Sequence, residues 1–238
     1  EQWLRWMAAQ SPDIVSLQEL NGYTAAKLAD DAKQWGHDFT VLLKDDGFPT
    51  GLTSRFPITD VKRIREGMHH GAIRGRIQGI WIYVIHFHPS DHARRVEEAA
   101  LIKADIATLP DSNPRIVLAG DFNGFSPADR EQYDGNESLV AFFKRLDLAN
   151  NANNLSGSKI SYEAISAILD QGFIDAIDHK RVANAPFVGT FPTALVKDED
   201  HGTDRRLDYI FLSRNLVDRI EEASILRDDV TEMLSDHI

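Results

Sequence analysis

The sequence predicts a mixed α/β chain folded as a layered sandwich, and three observations carry that reading. Apolar runs of strand length, rich in Ile and Val, recur along the chain. Helical patterns fall between some of them, while residues 51–87 read as consecutive strands joined by turns such as Gln78-Gly79, so the order lacks strict βαβ alternation. In the run 80–86, Ile80, Ile82 and Val84 lie on one face and Trp81, Tyr83 and Ile85 on the other. A strand apolar on both faces must be covered on both sides, which requires layers.

Trp3, Leu4, Met7 and Ala8 stand at helical spacing, so the chain opens inside an amphipathic helix; it stops at Ile238 just after Ser-Asp-His, and both ends read as trimmed. Strands are expected at 14–18, 39–43, 71–78, 80–86, 115–119 and 207–213, and helices at 23–35, 92–109, 138–147 and 161–171. The stretches 148–160 and 196–205 are polar and rich in turn formers, and read as surface loops. No linker, internal repeat or heptad seam divides the chain, so residues 1–238 read as a single domain.

With 238 residues, 42% hydrophobic and 26% charged, the chain can bury a full core, which excludes a disordered or fibrous protein. Its 26 Lys+Arg against 37 Asp+Glu leave a net charge of -11. Such a surface repels polyanions, so a nucleic acid is not a favoured partner; binding one would need a local basic patch or bound cations. The absence of cysteine excludes disulfides, thiolate zinc sites and thiol catalysis. No apolar run approaches the roughly 20 residues needed to span a bilayer, and no signal-peptide pattern opens the chain. Compartment and oligomeric state leave no mark in the sequence.

The chemistry shows in where polar residues stand relative to strands. Glu19 follows the run IVSLQ, His86 ends IWIYVIH, and Asp121 and Asn123 follow RIVLAG, so three strands each deliver a polar group at the C-terminal end. Asp208 opens LDYIFLS, and Asp236-His237 precede the last residue. If the first three strands share a direction and a strand opened by Asp208 runs the opposite way, one sheet edge collects them all. Singly, an Asp or Asn after a strand is ordinarily a turn former, a Glu is solvated, and a His ending a strand is a structural hydrogen-bonder. The argument rests on the set and on the words around it.

Those words are Leu17-Gln18-Glu19, Thr53-Ser54-Arg55-Phe56-Pro57-Ile58, Ile85-His86-Phe87, Gly120-Asp121-Phe122-Asn123, Arg206-Leu207-Asp208-Tyr209-Ile210 and Ser235-Asp236-His237, in that order. Together they resemble the endonuclease/exonuclease/phosphatase superfamily, the DNase I-like metal-dependent phosphoesterases, over essentially the whole chain. The resemblance implies a four-layer α/β/β/α sandwich, two mixed β-sheets face to face with helices outside. It implies that Glu19 is the principal metal-binding glutamate and Asp236 a further acidic residue near the metal. It also implies that Asp208 orients His237, and that His86 contacts the scissile phosphate or aids the leaving group, with His88 as the competing choice. Members also carry an Asn on a strand upstream of the opening helix, and continue past the Ser-Asp-His word.

The residue types suit that chemistry. Phosphate-ester hydrolysis needs charge compensation on phosphoryl oxygens, a nucleophilic water and help for the leaving oxygen. Carboxylates without cysteine suit Mg²⁺, with Mn²⁺ as the alternative, better than zinc. His237 can take a proton from water near neutral pH, and a carboxylate on its other nitrogen would raise its basicity. Asp121 can align the attacking water or a metal, while the Asn123 amide donates to a phosphate oxygen.

Two other readings compete. His69, His70, His86, His88 and His92 with Asp121 could form a zinc-type two-metal hydrolase, although the paired His words of such enzymes are missing. A binding module of the same fold without turnover is the third. The acidic loop before Asp208 counts against DNA repair, and no exposed aromatic cluster offers a lipid-reaching hairpin. Arg55, Arg74, Arg76, Arg94, Arg205 and Arg206 could hold further phosphates, but on such a surface most arginines are solvated or in ion pairs. The substrate is therefore expected to be a phosphate ester of unspecified identity.

Overall fold

The computed structural model describes residues 2–183, 185–196 and 201–238; within the polar stretch 196–205, residues 197–200 lie outside the described residues. The helices are α1 (Gln2–Gln10), α2 (Ala25–Lys33), α3 (His92–Ile106), α4 (Arg130–Tyr133), α5 (Glu137–Asn150), α6 (Glu163–Leu169) and α7 (Ala176–Lys180). The strands are β1 (Ile14–Leu17), β2 (Phe39–Leu42), β3 (Gly51–Ser54), β4 (Thr59–Ile64), β5 (Gly71–Ile77), β6 (Ile80–His86), β7 (Ile116–Asp121), β8 (Leu155–Ser156), β9 (Lys159–Ile160), β10 (Phe173–Asp175) and β11 (Asp208–Ser213). The architecture is the mixed α/β class the sequence predicts, with sheets and helices around them. Among the described residues no helix is long and apolar enough to cross a membrane. The chain forms two compact units, Glu1–Phe87 with Asp111–Asp121, and His88–Pro110 with Phe122–Ile238.

The first unit holds two sheets face to face. In one, β1 and β2 both pair antiparallel with the central β3. In the other, β4, β5 and β6 run antiparallel in turn and β6 pairs parallel with β7, which makes the sheet mixed. Between them Val41, Leu43 and Leu52 meet Ile73, Ile77, Ile82 and Val84 in one buried cluster. The three-stranded sheet turns its other face to α1 and α2, where Met7, Leu28, Ala32 and Trp35 pack with Leu17, Leu20 and Leu42. Helix α2 begins where Thr24 accepts from the Lys27 amide, satisfying one orphan donor of the first turn. Strand β6 is buried from Trp81 to His86, as its double-sided apolar pattern requires.

In the second unit α3 packs against α6, and β10 pairs antiparallel with β11 in the register Phe173↔Ser213. Phe125, Tyr133, Leu139, Phe142, Phe143, Leu155, Ile160, Tyr162 and Leu207 form its aromatic-rich core. That core corrects one expectation, because the stretch read as the loop 148–160 contains the last turn of α5 and the hairpin β8–β9. There Leu155 and Ile160 are buried across from each other.

Arg205 and Arg206, expected to be solvated or in ion pairs, are core residues here, and Arg206 is ion-paired within that core. Arg206 is 1% exposed; its Nε donates to Asp129 Oδ2 at 2.8 Å and its Nη1 to Asp175 Oδ2 at 2.6 Å. Asp129 also accepts from Arg181 at 2.6 Å, and Asp175 caps α7 by accepting from the Ile177 and Asp178 amides. Arg205 lies over the rings of Phe142, Phe143 and Phe191, at 5.3, 5.5 and 5.0 Å from their centroids. Its burial lowers the guanidinium to about 10, still charged at neutral pH.

Candidate active site

In the first unit the parallel pairing of β6 with β7 sets His86 directly beside Asp121 at the C-terminal ends of both strands. Strand β1 of the facing sheet is pinned to β7 by Ser16, whose hydroxyl donates to the Ala119 carbonyl at 3.2 Å, and Gln18 Nε2 donates to that hydroxyl at 2.9 Å. Glu19, two residues beyond the end of β1, is thereby carried to the same corner. Its Oε1 lies 3.8 Å from His86 Nε2, and Asp121 Oδ2 lies 3.6 Å from the same nitrogen. His86 is 1% exposed, while the Glu19 side chain is 48% exposed, so the group opens to solvent on the glutamate side.

The backbone supports this placement at a cost. Glu19 has φ 54, a left-handed conformation that a glutamate adopts only where its surroundings impose it. Gly120, just before Asp121, has φ +136, and a Cβ there would lie 2.1 Å from the Ile85 carbonyl oxygen and 2.7 Å from Gln18 Nε2. Only glycine permits the close approach of β7 to β6 and to the β1 exit.

Two carboxylates flanking one imidazole nitrogen bring like charges together, an arrangement relieved by a cation or a proton. The donors are oxygen-rich, one is solvent-accessible, and the chain lacks cysteine. This donor set fits a hard divalent cation.

In the second unit Asp208 opens β11 and His237 lies in the terminal segment. His237 Nδ1 is 2.8 Å from Asp208 Oδ2, the pairing expected from sequence. Both ends of this bond are held by Thr190, whose Oγ1 accepts from the Leu207 and Asp208 amides at 3.0 and 3.2 Å and whose carbonyl accepts from the Ile238 amide at 2.9 Å. The terminal segment is tied again where Thr193 N donates to the Asp236 carbonyl at 3.1 Å and Thr193 Oγ1 to the Ser235 carbonyl at 2.5 Å. The Phe191 ring packs against the His237 ring, with centroids 4.6 Å apart and planes tilted by 42°. Asp236 is half-buried, and its Oδ1 accepts from the Ser235 hydroxyl at 3.3 Å.

Asn123 has φ 46 and belongs to the second unit, where the buried Arg95 donates to its carbonyl. Arg95 is itself held by the Asp91 carbonyl and by Asn154 Oδ1. His88, the competitor of His86, lies past the end of β6. Its amide donates to Glu98 and its Nδ1 accepts from the Ser90 amide, so it organises the entry to α3.

The structure thus brings together Glu19, His86 and Asp121 in one unit, and Asp208 with His237 in the other. Sequence reasoning missed Thr190 and Arg95, and named His70 only as a ligand of the zinc-type reading. The His70 ring stacks on His86 at 3.8 Å with an interplanar angle of 16°. The word Gly-Thr-Phe-Pro-Thr at 189–193 carried a signal for Thr190, since a hydroxyl in an extended segment can satisfy amides of a neighbouring strand start.

Comparison with known proteins supplies the frame. The model of the Endonuclease/Exonuclease/phosphatase family matches residues 1–237. No curated protein matches the chain. Among solved structures, an AP endonuclease from Archaeoglobus fulgidus is similar at 19% identity and TM-score 0.69, over 98% of this chain and 89% of that one. A 3' phosphatase from Neisseria, bound to a product DNA hairpin, is similar at 18% identity and TM-score 0.66, over 98% of this chain and 90% of that one. A mannosyl-6-phosphatase from Bacteroides thetaiotaomicron is similar at 17% identity and TM-score 0.57, over 89% of this chain and 74% of that one. At these identities the likeness is one of fold.

Proposed function

Because the chain belongs to the endonuclease/exonuclease/phosphatase family, whose members are hydrolases of phosphate esters, we propose that it is a Mg²⁺-dependent phosphoesterase. In this reading the Asp208–His237 pair activates water. The observation that carries it is the 2.8 Å bond between His237 Nδ1 and Asp208 Oδ2. A carboxylate accepting from Nδ1–H fixes the tautomer, makes Nε2 the basic nitrogen, and stabilises the imidazolium that forms when Nε2 takes a proton from water. Thr190 and the Thr193 contacts hold the two partners in register, so the bond is preorganised.

Glu19 and Asp121 would hold the divalent cation, with Asp236 as the further acidic group the family resemblance implies. Once bound, the cation would offset charge on the phosphoryl oxygens and ease deprotonation of water. His86, buried between those carboxylates, donates to a phosphate or leaving oxygen. The Asn123 amide donates to another phosphate oxygen, and Arg95 keeps its backbone in the left-handed conformation. The substrate is a phosphodiester or phosphomonoester. The similar structures act on substrates as unlike as DNA and a mannose phosphate, and the net charge of -11 disfavours an extended polyanion.

The histidine-rich zinc reading has weaker support. Imidazole lone pairs lie in the ring plane, and the nearly parallel His70 and His86 rings cannot direct theirs to one ion. The test is release of p-nitrophenol from bis(p-nitrophenyl) phosphate and from p-nitrophenyl phosphate, with Mg²⁺, with Zn²⁺ and with EDTA. Turnover with Mg²⁺ is expected on at least one ester and none with EDTA; His237→Ala should remove most of it, and Glu19→Gln should raise the Mg²⁺ concentration needed. Turnover with Zn²⁺ alone, or a near-normal rate for His237→Ala, would overturn the reading.

A further inference from the structure

We infer that His70 is a positioning residue for His86, a platform that holds the imidazole in the orientation the reaction needs. The inference rests on the reading of His86 as a group that touches the phosphate ester. The two rings are stacked at 3.8 Å and 16°, and both residues are buried. His70 is itself fixed by edge contacts, from His69 at 4.4 Å and 86° and from Phe48 at 5.6 Å and 70°.

The chain is built to put it there. Gly71 pairs with His86 across β5 and β6, so His70 stands one residue beyond the paired position. Gly71 has φ +102, and a Cβ there would meet Leu43 Cδ2 at 2.7 Å and the Ile64 carbonyl at 3.0 Å; only glycine makes the turn that swings the preceding ring over His86.

The geometry has a direct consequence for the site. An imidazole at a strand end has a broad, roughly two-fold preference about its second side-chain torsion, so its own backbone does not decide where Nε2 points. A flat ring against one face resists tilting of the imidazole plane, and so keeps the ring edge that carries Nε2 toward Glu19 Oε1 and Asp121 Oδ2, which lie 3.8 and 3.6 Å from that nitrogen. Stacking supplies this through shape, so a phenyl ring can replace the imidazole and a methyl group cannot.

The experiment compares wild type, His70→Ala, His70→Phe and His86→Ala on bis(p-nitrophenyl) phosphate with Mg²⁺, alongside melting temperatures and a crystal structure of His70→Ala. His70→Ala is expected to lose about tenfold in kcat with KM nearly unchanged, because orientation in the transition state is what is lost. His70→Phe should recover the rate to within about threefold of wild type, and the His86 ring should be rotated in His70→Ala. If His70→Ala stays within twofold of wild type while His86→Ala is slow, or if His70→Phe is as slow as His70→Ala, the inference is overturned and the reading of His86 survives. If His86→Ala turns over at the wild-type rate, the reading of His86 itself is overturned.

Discussion

Replacing Asp208 by Asn keeps the shape of the side chain and removes its charge, which isolates what the carboxylate does for His237. The bond is 2.8 Å long, and the side chains are 20% and 25% exposed, so the pair is neither dry nor fully screened. A charge-assisted hydrogen bond contributes about 1.5–3 kcal/mol, and partial exposure argues for the middle of that range, about 2 kcal/mol. At 1.36 kcal/mol per factor of ten this is roughly a 30-fold loss in kcat. An amide can also turn its NH₂ toward Nδ1 and favour the wrong tautomer, which pushes the loss upward, so about 30- to 300-fold is expected. Thr190 still holds the backbone at position 208, so KM and the melting temperature should move little. The assay is steady-state hydrolysis of bis(p-nitrophenyl) phosphate with saturating Mg²⁺, in a cycle with His237→Ala. If the two residues act as one unit, Asp208→Asn adds nothing in the His237→Ala background. A kcat within twofold of wild type, or full additivity in the double variant, would refute the pairing as the source of catalysis.

Three further outcomes follow from the packing. Arg206→Ala leaves Asp129 and Asp175 buried with an opposite charge removed, which should cost about 3–5 kcal/mol in urea unfolding; a loss under about 1 kcal/mol would show that the cluster is not coupled to folding. Gly120→Ala forces a Cβ against the Ile85 carbonyl at an unfavourable φ and should cost about 3 kcal/mol or more, read as a lowered melting temperature with activity lost in parallel. His37 is buried with Nε2 2.8 Å from the Pro12 carbonyl and Nδ1 2.8 Å from Thr53 Oγ1, and its burial, partly opposed by the Pro12 bond, lowers it below its ordinary value of 6.5. A depressed folded value means this contribution is complete above 6.5 and declines as pH falls through the lowered value. Unfolding free energy should therefore fall more steeply toward acid in wild type than in His37→Gln, and equal slopes would refute the assignment.

The strands β1, β2, β5, β6, β7 and β11 and the helices α1, α2, α3, α5 and α6 were legible because each carries a long enough apolar run or periodic face. The hairpin β8–β9 and strand β10 were not, since two or three residues give too little alternation to separate a strand from a loop. The partnership of Asp208 with His237 could be read because both sit in distinctive local words. The burial of Arg206 could not, because its partners Asp129 and Asp175 are far away in sequence and each looks like an ordinary turn or cap residue. The stacking of His70 on His86 was hidden for a similar reason, since two adjacent histidines before a glycine do not show which ring they meet until β5 pairs with β6.

The side-by-side placement of His86 and Asp121 restricts how this chain can vary. Side chains alternate along paired strands, so one residue inserted or deleted within β6 or β7 would send imidazole and carboxylate to opposite faces. Length changes between residues 87 and 115 leave that phase untouched. Relatives that diverge in substrate should therefore differ in the size of their connecting segments while keeping the residue count of these two strands, and an engineered graft should respect the same boundary.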